Sequence, residues 1–142
     1  MFLSDRTTAP IFGRLRTFLA VSVVLIFDSG HAEELKTFEP IIAAGEYHSV
    51  VLENDRVRVL QVEIMPGETV PFHQHGMPSI FVTLEPASLL IRDMSGKAIR
   101  VVERSSFSDL PHVEWRETPP APRSVENVDT VSMRALRIEL KK

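Results

Sequence analysis

The chain has no cysteine, one tryptophan and one tyrosine among 142 residues. Without cysteine there is no disulfide and no thiolate, so stability rests on the packed core, and a metal would have to be held by imidazole or carboxylate. Basic residues do not cluster, and they do not interleave with aromatics as a nucleic-acid face requires. No glycine-rich loop follows a strand to cradle phosphate, and no serine sits on a strand-to-helix elbow. The paired carboxylates and nucleophile arrangements of hydrolases are likewise missing. No internal repeat or low-complexity tract appears, and no amphipathic helical pattern follows residue 45.

One sizeable apolar run exists, Phe18 to Phe27, interrupted only by Ser22. Arg14 and Arg16 precede it, and Gly30-His31-Ala32 supplies small residues at the two positions that matter for cleavage. That order predicts a secretory signal peptide over residues 1–32, cut after Ala32, and hence a periplasmic or secreted protein. The run is about half of what a bilayer span needs, so no stable membrane anchor is expected. There is no adjacent Arg-Arg pair to suggest a twin-arginine route. Three of the sixteen basic and two of the nineteen acidic residues fall in this leader, leaving a mature chain with a formal charge of −4. Its 110 residues, Glu33 to Lys142, suffice for one core but not two domains.

The mature chain reads as short strands separated by turns. Tyr47 to Glu53 is β-rich and ends at Asn54-Asp55. Val57, Val59, Val62 and Ile64 form a second strand whose phase slips once near Leu60, which predicts a bulge there. Pro66-Gly67 turns into a histidine-bearing segment, and Ile80 to Leu84 and Ser88 to Arg92 flank Glu85-Pro86. Asp93-Met94-Ser95-Gly96 predicts a hairpin leading into Lys97 to Glu103. His112 to Arg116, Ser124 to Val128 and Val131 to Leu140 complete about eight strands. The alternation of Leu136 to Leu140 predicts Arg137 and Glu139 toward water, and that of Val125 to Asn127 turns Glu126 away from the interior. Thr118 to Pro122 is proline-rich and predicts a loop. Residues 33–45 read as an N-terminal arm or edge segment without a placed partner. The whole argues for an all-β barrel or jelly roll.

The segment PGETVPFHQH, Pro66 to His75, carries the chemistry. In an extended chain His73 and His75 share a face, with Phe72 and Gln74 opposite, so two imidazoles stand side by side. Neutral imidazole is the commonest transition-metal ligand among side chains, which makes the pair a candidate half-site. Without a metal, the same pair would be barrel-lining side chains hydrogen-bonded within a pocket. His48 and His112 are candidate replacement ligands from neighbouring strands. For each an ordinary strand histidine is the commoner outcome, and His112 is the more suggestive because its strand leads toward Arg123. Trp115, Phe72 and Phe81 read as core or pocket wall.

These residues resemble the cupin superfamily, and in particular small exported bacterial monocupins. Gly67, ETVPF and His73-Gln74-His75 match the opening of the first cupin motif. Arg123, SVE and Asn127 keep the spacing of the second, which ends in a histidine, three residues and an asparagine. YHSVVLENDRVRVL near the start, with SVENV and LRIELK near the end, extend the likeness over residues 46–142. The resemblance implies a double-stranded β-helix, the cupin jelly-roll barrel, with the His-x-His pair in its mouth, and by family habit a homodimer. It also implies a divalent metal held by both histidines with a later Glu and His. Here the Glu position falls at Ser79 or Ile80 and the His position at Arg123, so two of the four ligands remain. A guanidinium has no lone pair to give and repels a cation: at ~5 Å and an effective dielectric of ~20, that repulsion is roughly 6–7 kcal/mol.

Two functions from different classes follow. The first is a small-molecule-binding periplasmic protein with a degenerate metal site, in which His73, His75 and Arg123 meet the ligand and Arg123 clamps an anion through its planar fork. Asn127 is counted with the ligand-binding residues, although satisfying backbone or neighbouring polar groups is its commoner role than chemistry. The second is a metal-dependent enzyme, of dioxygenase or isomerase type, using His73 and His75 with a ligand from outside the motif. Two imidazoles do not select among iron, manganese, nickel, copper and zinc, and the first function needs no metal at all. A third reading, an interaction module without a small ligand, would require an interior filled by Phe and Met.

Overall fold

The computed structural model describes residues 37–142. The signal peptide expected over residues 1–32 lies outside the described residues, as does the start of the arm. Among the described residues, a helical turn, α1 (Pro40–Ala43), precedes nine strands: β1 (His48–Glu53), β2 (Val57–Ile64), β3 (Thr69–His73), β4 (Ser79–Glu85), β5 (Leu89–Arg92), β6 (Ala98–Val102), β7 (His112–Arg116), β8 (Arg123–Asn127) and β9 (Met133–Leu140). They pair antiparallel into two sheets, ordered β1-β2-β9-β4-β7 and β3-β8-β5-β6. Their inner faces enclose a core of Val62, Ile64, Val70, Phe81, Ala87, Met133 and Ala135, joined by Ala44 of the arm.

The turns follow their chemistry. Gly67 and Gly96 take φ of 77° and 81°, values at which a side chain is strained. In the β5–β6 hairpin the Asp93 carboxylate accepts from the Ser95 and Lys97 amides at 2.9 and 3.1 Å, closing the predicted turn. The Thr118–Pro122 segment carries no strand, and Pro119 O accepts a 2.7 Å bond from Gln74 Nε2. Glu126 points outward as predicted and pairs with Arg92 at 3.3 Å.

Two expectations about strand phase are overturned, for one reason. β2 pairs with β9 without interruption from Val57 to Ile64, and the bulge lies instead on β1, between Val50 and Leu52. Arg58 and Leu60 therefore face inward with Val62 and Ile64, while Val57 and Val59 face out. On β9, Arg137 and Glu139 are buried and Leu136, Ile138 and Leu140 take the outer face. Arg58 and Glu139 are register partners, joined by a 2.6 Å bond from Arg58 Nε. A buried ion pair thus occupies positions that an apolar interior would give to valine and leucine.

The register sorts the inner face into cross-strand rows. Arg58, Glu139, Ser79 and Arg116 form one; Leu60, Arg137, Phe81 and Glu114 form the next; His48, Val62, Ala135, Thr83 and His112 form a third. The arm packs on β1 and β3, the edge strands of the two sheets. It is fastened by the Gln74 amide on Phe38 O at 2.7 Å and by a salt bridge from Glu39 to Arg58. At its end a Cβ on Gly45 would lie 2.7 Å from the Ile41 carbonyl oxygen, so the turn back toward β1 admits only glycine without a shift.

Candidate metal centre

Between the two edge strands on which the arm packs, three buried imidazoles converge. His48 opens β1, His73 ends β3, and His75 lies just beyond it. Ring centroids are 4.9 Å apart for His48 and His73, and 5.2 Å for each of the other pairs. One ring nitrogen from each lies within 4.8 Å of the others.

Each ring has its Nδ1 engaged. His48 Nδ1 donates to Ala44 O at 3.0 Å, His73 Nδ1 to Pro71 O at 2.8 Å, and His75 Nδ1 to Glu139 Oε1 at 2.7 Å. All three acceptors are oxygens, which fixes the proton on Nδ1 and leaves Nε2 with its lone pair free. Metal-binding histidines are held in the same way, by an outer acceptor that sets tautomer and ring orientation. Burial pushes the pKa of all three rings down, aided for each by the Arg137 charge, and His48 falls to about 4. At neutral pH the set offers three uncharged nitrogen donors. The residues fit a divalent transition metal.

Glu139 is wholly buried and anchors the outer layer. Its Oε1 accepts from His75, and its Oε2 takes Arg58 Nε and Nη2, both at 2.6 Å. Burial pushes the Glu139 carboxyl up, while Arg58 and Arg137 act in the opposite direction. Arg137 Nε lies 3.8 Å from Oε1 and has no hydrogen-bond partner. Arg116 sits 3.5 Å above the centre of the Phe81 ring and is paired with Glu114.

The histidines open on a cavity of about 500 Å³, a usual size for a small-molecule site. Arg100, Arg116, Arg123 and Arg137 line it against Glu114 and Glu117, a formal excess of two positive charges in a chain whose total is −3. Apolar wall is supplied by Val70, Phe81, Leu89, Ile91 and Val125, among others.

No family model and no curated protein matches the sequence. Solved structures do. A cupin domain from Bordetella pertussis Tohama I superposes with a TM-score of 0.54 at 22% identity, covering 67% of this chain and 92% of that one. The fold is that of a cupin. An RmlC-like cupin family protein with a double-stranded β-helix fold from Methanocaldococcus jannaschii gives a TM-score of 0.49 at 6% identity, covering 66% and 78%.

In this cupin barrel the residues singled out in the sequence separate. His73 and His75 come together in the cluster. Arg123 is the register partner of His73 and lines the same cavity. Asn127 does not belong with the ligand-binding candidates. Its Nδ2 donates to Ile64 O and Val131 O, both at 2.9 Å, and its Oδ1 accepts from the Asp129 amide at 3.0 Å, so its polar groups are consumed by backbone. Ser79, where the motif carboxylate would fall, is buried opposite Glu139, so a carboxylate lies next door on β9. Trp115 is 53% exposed, bonded to Glu117 and at the edge of the cavity rather than in the core, whereas Phe81 is buried against the cavity.

His48 is the third member of the cluster, and His112 is not. The two share one row at opposite edges of the five-stranded sheet, four strand spacings or about 19 Å apart along it. His112 packs edge-on against Phe107 instead. What favours His48 is the approach of its ring to within 4.9 Å of His73 across the two sheets, which no local pattern in the sequence shows.

Burial of neutral histidines sets an acid limit. His48 has a folded pKa of about 4 against 6.5 when free, so the unfolded chain binds more protons between those values. Its contribution is full above pH 6.5 and is lost as pH falls toward 4, by about 3 kcal/mol at most. His73 and His75 shift the same way. Urea unfolding of metal-free protein should show stability falling over this window, with a shallower fall in His48→Gln. Equal slopes for the two proteins would contradict the assignment.

Proposed function

We propose that this is an exported metal protein in which His48, His73 and His75 hold one divalent transition metal at the mouth of the cavity, with a small molecule completing the site. The observation that carries this reading is the engagement of all three Nδ1 atoms by oxygen acceptors, which leaves the Nε2 lone pairs uncommitted in three rings whose ligand nitrogens lie within 4.8 Å of one another. Of the two functions drawn from the sequence, the metal-dependent one is favoured, because the ligand missing from the motif is supplied from β1. An all-imidazole set suits zinc, copper, iron or nickel better than magnesium or calcium. A metal there would act as a Lewis acid toward a ligand oxygen. The chain's own part is to fix three rings, keep them neutral, and hold the small molecule against apolar wall and guanidinium groups.

Mature protein purified without an affinity tag or chelator should contain near-stoichiometric metal by mass spectrometry, and His73→Ala and His75→Ala should each lack it. Retention by both variants would end the proposal, as would a wild-type protein that stays metal-free after reloading. Export is part of this reading and rests on the leader pattern alone. Pairing into a homodimer is supported by the outer face of the five-stranded sheet, where Trp115, Ile80, Ile138 and Val59 run side by side across four strands. Sedimentation velocity distinguishes monomer from dimer.

A further inference from the structure

Among the described residues, Arg137 is the buried guanidinium with no carboxylate held at hydrogen-bond distance. Arg58 lies against Glu139 and Glu39, and Arg116 against Glu114. Arg137 is 5% exposed, and its closest anionic atom is Glu139 Oε1, 3.8 Å from its Nε and already bonded to His75. Its Nε is buried without a hydrogen-bond partner. A charged group taken out of water and left unpaired is costly, so a position like this one calls for a counter-ion. Its register partners Leu60 and Phe81 are apolar, and Glu114, the next residue in that row, acts on it only from a distance and is bonded to Arg116.

The direction in which the counter-ion must come is set by the strand. Arg137 and Glu139 are two residues apart on the same face of β9, about 7 Å along it. Glu139 reaches the imidazole cluster through His75, and Arg137 lines the cavity into which that cluster opens. Its charge lowers the pKa of all three histidines, as expected of a cation beside them.

We propose that the cavity binds a small carboxylate, with Arg137 clamping its oxygen pair and the apolar wall of Val70, Phe81, Leu89 and Ile91 covering its body. A guanidinium presents parallel N–H groups that match a carboxylate, which a neutral ligand cannot exploit. The ligand offsets one of the two excess positive charges of the cavity lining, and it stands within reach of the histidine cluster. Its attachment to Arg137 needs no metal. A second attachment to the cluster rests on the metal reading above. Arg123, which the sequence suggested as the clamp, lies beside His73 on a half-buried strand start and is a secondary contact in this arrangement.

Isothermal titration of butyrate, with butyramide as the neutral isostere, tests the proposal on mature protein in metal-loaded and chelated forms. Butyrate should bind wild type and be weakened at least tenfold in Arg137→Met, with butyramide weak in both. Arg137→Gln keeps a polar head and decides the matter if the methionine variant does not fold. Equal butyrate affinity in wild type and the folded variant would overturn the proposal, and so would failure of formate, acetate, butyrate and benzoate all to bind wild type. Arg137-dependent binding in a protein that takes no metal would remove the metal reading and leave the clamp. Metal uptake with butyrate binding indifferent to Arg137 would do the reverse.

Discussion

Replacing Glu139 with leucine should destabilise the metal-free protein by about 3–5 kcal/mol, because it leaves buried charge uncompensated. The carboxylate is wholly buried, takes one hydrogen bond and a second ion-pair contact from Arg58 and one bond from His75, and faces Arg137 at 3.8 Å. Its loss leaves Arg58 with only Glu39 and takes from the already unbonded Arg137 Nε the one carboxylate within 4 Å of it. For a domain of about 100 residues the midpoint should drop by roughly 15–30 °C. The pair itself is a different matter from its breakage: a buried ion pair replaced whole by apolar groups is often neutral. Arg58→Met with Glu139→Leu should therefore regain part of the loss, and adding Arg137→Leu should regain most of it. Urea unfolding of the four proteins reads this directly. A Glu139→Leu variant within 1 kcal/mol of wild type would show that the network does not hold the barrel.

Removing the His48 imidazole should lower metal affinity by on the order of 100-fold or more, whereas removing that of His112 should leave it unchanged. The lower bound comes from outer-layer groups, whose loss alone typically costs 10–100-fold, so a direct ligand should cost no less. Glu139→Gln belongs to that milder class, since it weakens the hold on His75 Nδ1 without deleting a nitrogen donor. The expected order is therefore His48→Ala weakest, Glu139→Gln intermediate, and His112→Ala equal to wild type. Competition against a chromophoric chelator with zinc and cobalt gives the constants. If His48→Ala stayed within threefold of wild type, or His112→Ala fell as far, the centre would have to be drawn elsewhere. The contrast is informative because both residues are strand-terminal histidines on one row of the sheet.

Much of the fold was legible in the chain because turn chemistry and alternation are local. Asp93 to Gly96, Pro66-Gly67 and the proline loop all act within a few residues. The His-x-His pair was legible for the same reason, its geometry being fixed by strand period. What failed was the sense of β2 and β9. Alternation says which residues share a face, and the assignment of that face to core or water assumes an apolar interior. Here the interior of one end is ionic, so Arg58, Arg137 and Glu139 went in while Val59, Ile138 and Leu136 went out. His48 was hard to prefer over His112 because its neighbourhood depends on residues far along the chain. Asn127 kept the spacing of a motif whose histidine is absent, and its amide serves the backbone.

The network on Glu139 also fixes an order of events in time. Arg58 and Glu139 are 81 residues apart and His75 and Glu139 are 64 apart, so the centre is closed by contacts that span most of the domain. Such contacts bear the loop-closure entropy of the whole intervening chain and form late in folding. A polypeptide emerging from its N-terminus presents the three imidazoles long before the carboxylate that orders one of them. Assembly of this centre must therefore wait for the last strand, and a chain that stops four residues short carries every histidine and no finished site.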